Sequence, residues 1–174
     1  MLGPQDLRRM IRDVPDFPRK GVIFKDITTL LANGQAFATA IDLIGDHYIA
    51  KKVDLVVGAE ARGFVFGAAL AYKLNCGVIL IRKGGKLPYR TVKTLYELEY
   101  GTDELEIHED SIQPGDRVLV VDDLLATGGT SAAAVQLVEK LKGVVVGLAF
   151  LVELTFLKGR ERLRDYEVFS LIEF

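Results

Sequence analysis

One cysteine, Cys76, stands in the whole chain. No disulfide can close within it, and a reducing compartment is expected. The two histidines, His47 and His108, are far apart and lack partners at metal-ligand spacing, so structural or surface roles are read for them and no all-protein metal site is expected. Long apolar runs are missing: charges interrupt each one well short of the roughly 20 residues a membrane-spanning helix needs. Met1 to Arg12 carries arginines but no apolar stretch ahead of a small-residue cleavage site, so no signal peptide is read. An excess of one charge is missing too: 22 Lys+Arg face 24 Asp+Glu, a net charge of -2, which argues against broad binding to a nucleic-acid backbone. No glycine or heptad period marks a collagen or a coiled coil, and neither GxxxxGK[ST] nor GxGxxG occurs. What remains is a soluble cytoplasmic protein. Its 174 residues amount to about one domain. With 49% apolar and 26% charged residues, the composition is ordinary globular usage and excludes disorder.

Short runs of valine, isoleucine and leucine recur at 53–57, 78–81, 118–121, 144–151 and 168–172. They are continuous rather than alternating, as for strands buried on both faces. Helical patterns at 63–74 and 130–142 lie between them, which predicts a parallel sheet covered by helices. An amphipathic helix is predicted over 35–49. Residues 95–100 and 104–108 read as an antiparallel ribbon turning at Gly101, Thr102 and Asp103. Residues 84–94, with Gly84, Gly85 and Pro88, read as a mobile loop.

The strongest signal is Val118-Leu-Val-Val-Asp-Asp-Leu-Leu-Ala-Thr-Gly-Gly-Thr130. A buried strand ends in two aspartates, Asp122 and Asp123, and a small-residue turn opens a helix. Ligands of open α/β folds bind at this edge. Gly128 and Gly129 let the backbone approach a ligand closely, and free N–H groups at the helix N-terminus favour a phosphate. Thr127 and Thr130 add hydroxyls. The two carboxylates suit vicinal hydroxyls, as on a ribose. The plain alternative is a strand-to-helix turn capped by Thr130, but two acids at a buried strand end are costly without a partner.

This segment resembles the phosphoribosyl pyrophosphate (PRPP) loop of type I phosphoribosyltransferases. Five further stretches narrow the resemblance to the adenine-specific branch: Asp16-Phe-Pro-Arg-Lys-Gly-Val-Ile-Phe-Lys-Asp-Ile-Thr28, Gly58-Ala-Glu-Ala-Arg-Gly-Phe64, Arg82-Lys-Gly-Gly-Lys-Leu-Pro88, Leu98-Glu-Tyr-Gly101, and Leu151-Val-Glu-Leu154 with Leu157-Lys-Gly-Arg160. The resemblance implies one domain over 1–174, with a central, mainly parallel sheet flanked by helices. It adds an N-terminal hood over about 1–34 and a flexible loop with a β-ribbon over about 82–109. It also implies transfer of a phosphoribosyl group from PRPP to N9 of adenine, with Mg²⁺ riding on PRPP, and a homodimer.

The same resemblance assigns roles. Asp122 and Asp123 hold the ribose hydroxyls, and Ala126, Thr127, Gly128, Gly129 and Thr130 hold the 5′-phosphate. Arg62 grips pyrophosphate, in a loop that carries an unusual cis peptide in related enzymes. Arg82, Lys83, Lys86, Arg90 and Lys93 form a basic run without an acid, which suggests an anion site. As a closing loop it would exclude water and bring Arg82, Lys83 and Lys86 to the substrate. Glu99 is implied at adenine N7 or in proton movement at the base. Ile23, Phe24 and Lys25 belong to the hood over adenine, with backbone groups near Ile23 and Lys25 reading the exocyclic amine and N1. Leu124 packs on the base. Many relatives have arginine where Lys25 stands, and lysine lacks arginine's planar fork.

Two alternatives share the PRPP loop. A phosphoribosyltransferase for 6-oxopurines or orotate would not carry this hood or the LEYG ribbon. A non-catalytic PRPP-binding regulator would carry a DNA-binding domain, and the first 50 or so residues show neither a helix-turn-helix nor a basic face.

Overall fold

The computed structural model describes residues 2–97 and 102–174. Its centre is a seven-stranded sheet in the order β5-β6-β4-β3-β7-β8-β9. The parallel part comprises β3 (Leu55–Ala59), β4 (Gly77–Lys83), β7 (Arg117–Leu125), β8 (Val144–Glu153) and β9 (Val168–Glu173). Antiparallel β5 (Thr91–Glu97) and β6 (Thr102–His108) extend it beyond β4. Side chains alternate between two cores, as a pleated strand requires. Val56, Leu119 and Val121 face one core, built with α3 (Gly34–Tyr48) and α4 (Gly63–Leu74). Val57, Val118 and Val120 face the other, with α5 (Gly129–Lys140).

The hood is α1 (Pro4–Arg9), the hairpin β1 (Arg12–Pro15) with β2 (Ile23–Asp26), and α2 (Thr28–Leu31). Leu7 and Leu30 are fully buried in the α3/α4 core and tie the hood down. Among the described residues no helix is long and apolar enough to cross a membrane.

The five expected strands and three expected helices are present, with small shifts. The first strand starts at Leu55 rather than Val53. Lys52 is left-handed, and the Asp54 carboxylate accepts the Arg117 N–H at 2.8 Å, so the chain bends before pairing starts.

The expected loop over 84–94 is shorter. Thr91 already pairs with His108, and the ladder continues to Glu97 opposite Thr102. Packing on α5 explains this: Thr94 Oγ1 bonds Gln136, and Lys140 donates to the Lys93 carbonyl at 2.7 Å. The expected turn at 101–103 is corrected by the same register. Thr102 and Asp103 are ladder residues, opposite Glu97 and Tyr96, while Gly101 lies outside the described residues.

Candidate active site

The sheet has a switch point between β3 and β7. From β3 the chain crosses through α4 to β4 on one side; from β7 it crosses through α5 to β8 on the other. The two strand-to-helix loops therefore open a crevice at the carboxyl ends, where such sheets bind ligands. A cleft of about 420 Å³ lies there, lined by Glu60, Ala61, Arg62, Asp122, Asp123, Leu124, Ala126 and Thr130. A smaller hollow of about 70 Å³ adjoins it, bounded by Asp122, Leu124 and residues 126–131.

Glycine sets the close approach of the two loops. A Cβ on Gly63 would lie 2.8 Å from Asp122 Oδ1, and one on Gly67 would lie 3.3 Å from the Gly58 Cα. The N-terminal half of α4 thus sits directly on β3, and the Asp122 carboxylate rests over its first residue. The preceding Glu60–Ala61 peptide is cis.

Arg62 and Asp123 meet across the crevice, with Nε 2.7 Å from Oδ2. Asp123 also donates its N–H to Asp122 Oδ1 at 2.9 Å. Burial pushes the Asp122 carboxyl well above the usual range, and the charge of Asp123 pushes it further. Asp123 is the carboxylate of the pair that meets Arg62. Gly128, at φ +81°, caps α5, which corrects the capping read for Thr130. This left-handed turn leaves the 127–130 backbone wrapped around the small hollow.

The basic residues do not form an unpaired run. Arg82 and Lys83 are the last residues of β4, and Lys93 lies in β5. Acids from elsewhere in the chain meet them. Glu60 takes Arg82 Nε at 3.4 Å, Lys86 Nζ at 2.5 Å and the Lys83 N–H at 3.0 Å. Burial would raise the Glu60 carboxyl, but these bonds outweigh it and hold it down at about 2. Lys83 Nζ reaches Asp103 at 3.1 Å, and Lys93 reaches Glu104 at 2.8 Å. Glu106, only 2% exposed, accepts the N–H groups of Lys86 and Leu87 at 2.8 and 2.9 Å and so pins the 84–90 turn. Sequence reasoning gave no role to Glu60 or Glu106 and read Asp103 only as a turn residue. The only available signal was that the basic run had to be neutralised by acids distant in sequence.

The hood residues divide. Phe24 faces the crevice, with the Arg62 guanidinium 5.4 Å from its ring centre. Phe17 meets its edge at 5.1 Å. Ile23 and Lys25, one residue to either side, line a separate cavity of about 620 Å³ with Arg8, Leu154, Phe156 and Phe174. Lys25 Nζ bonds Asp13 at 2.7 Å and lies 4.0 Å over the Phe174 ring. The crevice therefore brings together Arg62, Asp122, Asp123, Leu124, Phe24 and the 126–130 loop, but not the Ile23 and Lys25 side chains. Glu99 lies outside the described residues. His47 bonds Glu167 at 2.8 Å and stacks on Phe169, a structural role. No group of three or more His, Cys, Asp or Glu could hold a metal among the described residues.

Residues 26–174 match the family described as phosphoribosyl transferase domain. The chain is 61% identical over 170 residues to the adenine phosphoribosyltransferase of Syntrophotalea carbinolica, covering 98% of this chain and 99% of that one. Its fold superposes on the crystal structure of the Thermoanaerobacter pseudethanolicus adenine phosphoribosyltransferase with a TM-score of 0.96 at 52% identity, covering 98% and 99% of the two chains. The Saccharomyces cerevisiae enzyme, solved with an imino-altritol bisphosphate and adenine, gives a TM-score of 0.93 at 41% identity, with 97% of each chain covered. Likeness of this degree spans hood, crevice and ribbon alike, and the chain belongs to the adenine phosphoribosyltransferases.

Proposed function

We propose that this enzyme transfers the 5-phosphoribosyl group of PRPP to N9 of adenine, giving AMP and pyrophosphate. The observation that carries the reading is the pairing, across one crevice, of the Arg62–Asp123 contact with the backbone hollow at 126–130. The substrate is a sugar with phosphate at one end and pyrophosphate at the other. In this reading the N–H groups of Ala126 to Thr130 take the 5′-phosphate. Asp122 and Asp123 accept from the ribose hydroxyls. Arg62 turns to pyrophosphate as the substrate displaces it from Asp123, and Arg82, Lys83 and Lys86 add positive charge as pyrophosphate leaves.

The bond from C1 to pyrophosphate breaks ahead of the bond to N9, so the sugar passes through an oxocarbenium-like state, as in glycoside hydrolysis. Adenine N9 then joins C1 and gives up its proton, for which Glu99 is the assigned acceptor or orienting carboxylate. Phe24 and Leu124 flank the base. Backbone groups at Ile23 and Lys25 would read its amine, since the Lys25 side chain is bound to Asp13 and neither side chain lines the crevice. A site that pairs buried groups with an amine rejects an oxo analogue.

Mg²⁺ brought in with PRPP would neutralise pyrophosphate oxygens. The hard carboxylates beside the crevice suit an ion that keeps most of its ligands from phosphate and water. A second copy of the chain is the partner we assign to the exposed apolar face of Val65, Tyr72, Val78 and Leu80, in which Tyr72 is 90% exposed. The setting is cytoplasmic. The test is pyrophosphate release from PRPP and Mg²⁺ with adenine, hypoxanthine, guanine or orotate supplied separately. Release with adenine alone is expected. Release with another base would overturn the hood assignment, and PRPP binding without release would favour a regulator.

A further inference from the structure

The Leu157-Lys158-Gly159-Arg160 segment has no part in the reaction above, yet the structure sets it against the back of the phosphate loop. A Cβ on Gly128 would lie 2.5 Å from the Gly159 carbonyl oxygen and 3.3 Å from the Gly159 Cα. In return, a Cβ on Gly159 would fall on the Ala126 carbonyl oxygen and 2.9 Å from Leu125 Cδ1. The two backbones touch with no side chain between them. Gly128 is the residue whose left-handed turn shapes the phosphate hollow.

The next residue fixes the position of Gly159. Arg160 lays its guanidinium on Glu153, with Nε 2.8 Å from Oε1 and Nη2 2.7 Å from Oε2. Its Nη1 donates to the Val168 carbonyl at 2.9 Å, and Ser170 Oγ donates to Glu153 at 2.6 Å. Glu153 is 3% exposed and lies opposite Leu125 in the β7–β8 register, one residue before the phosphate loop. Arg160 is 44% exposed in this pair, and an ion pair open to water on one side adds little to stability. What a bidentate fork supplies is a fixed geometry.

We propose that Gly159 and Arg160 are positioning residues. The Glu153–Arg160 fork holds the Gly159 backbone as a stop behind Gly128, and that stop sets the aim of the 126–130 N–H groups. The proposal rests on the reading that this loop takes the 5′-phosphate. Displacing a binding group by about 1 Å can cost on the order of a hundredfold.

The test compares ribose 5-phosphate with pyrophosphate in equilibrium titrations of the full chain and its Gly159→Ala, Arg160→Lys and Thr127→Asp variants, with thermal midpoints alongside. Gly159→Ala should weaken ribose 5-phosphate by about tenfold or more and raise the KM for PRPP. Pyrophosphate, held from the Arg62 side, should keep its affinity. Arg160→Lys should shift the ratio of the two affinities in the same direction, and it carries the test if Gly159→Ala does not fold. Thr127→Asp sets a carboxylate at an exposed point of the loop and should abolish ribose 5-phosphate binding. If Thr127→Asp abolishes it while the folded clamp variants bind it unchanged, the clamp is overturned and the phosphate reading stands. If Thr127→Asp itself binds normally, the phosphate reading fails. Equal loss of both ligands with a lowered thermal midpoint would reduce the clamp to ordinary structural support.

Discussion

Asp123→Asn separates stability from function at a single atom. The carboxylate is buried, but its partner Arg62 is 44% exposed. Freed of the ion pair, the guanidinium can turn into water, so the pair is worth about 0–1 kcal/mol, as for exposed salt bridges. Asparagine keeps an oxygen that can still accept from Arg62 Nε, and it removes a like charge beside Asp122. The net cost should stay below about 1 kcal/mol, a fall of about 2–4 °C in thermal midpoint for a chain of this length.

Binding should respond more. A hydrogen bond to a charged acceptor contributes about 1.5–3 kcal/mol, against about 0.5–1.5 for a neutral one. Replacing the acceptor for one ribose hydroxyl should therefore cost about 1–1.5 kcal/mol, roughly tenfold in PRPP affinity. Asp123→Ala, which leaves the hydroxyl unpaired, should cost more with the fold intact. Differential scanning fluorimetry and PRPP titration in the presence of Mg²⁺ measure the two effects. Unchanged PRPP affinity in both variants would refute the ribose role. A large drop in thermal midpoint would refute the electrostatic reasoning.

Asp122→Asn should stabilise the free protein at neutral pH. A carboxyl raised above its ordinary 3.8 holds its proton better folded than unfolded, so ionisation erodes stability as pH climbs from about 4 through the raised value. The gap in thermal midpoint between variant and parent should therefore widen with pH; parallel curves would sink the argument. Glu60, held down at about 2, has the opposite sign: its grip on Arg82 and Lys86 is complete above its ordinary 4.5 and is lost as pH falls through about 2. Glu60→Gln should mimic that loss at neutral pH and speed hydrogen exchange over 84–90, and no change there would show that Glu106 alone holds the turn. Glu99→Gln should lower turnover more than PRPP affinity, and full activity would remove Glu99 from proton transfer.

Much of the fold was legible because continuous apolar runs and helical periods are local signals. The 63–74 helix was read at its observed bounds. Asp122-Asp123 with the glycines after it was legible for a related reason: two acids at the end of a buried strand have no cheap structural explanation. What escaped was non-local. That Thr91 to Thr94 form a strand depends on Gln136 and Lys140 of α5, which no window around residue 91 contains. The resemblance implies Lys25 at adenine through backbone groups, and the alternation of β2 sends its side chain elsewhere, to Asp13 and Phe174. Lysine in place of arginine at 25 therefore touches a site away from the crevice.

In the proposed function, the pairing of Arg62, Arg82, Lys83 and Lys86 with acids accounts for how cations assigned to a strongly anionic substrate are held in place without it. Arg62 rests on Asp123, Lys86 and Arg82 on Glu60, and Lys83 on Asp103. Each cation keeps a third or more of its side chain exposed. Exposed pairs of this kind contribute little to stability and exchange partners readily. A multiply charged ligand that excludes water can take them over, because its charges act together at lower effective dielectric. The acids thus keep the cations near their working positions and leave them free to move to the ligand. The buried carboxylate of Glu106 is different: it bonds backbone N–H groups, with which no ligand competes, and so it can hold the turn while the side chains change partners.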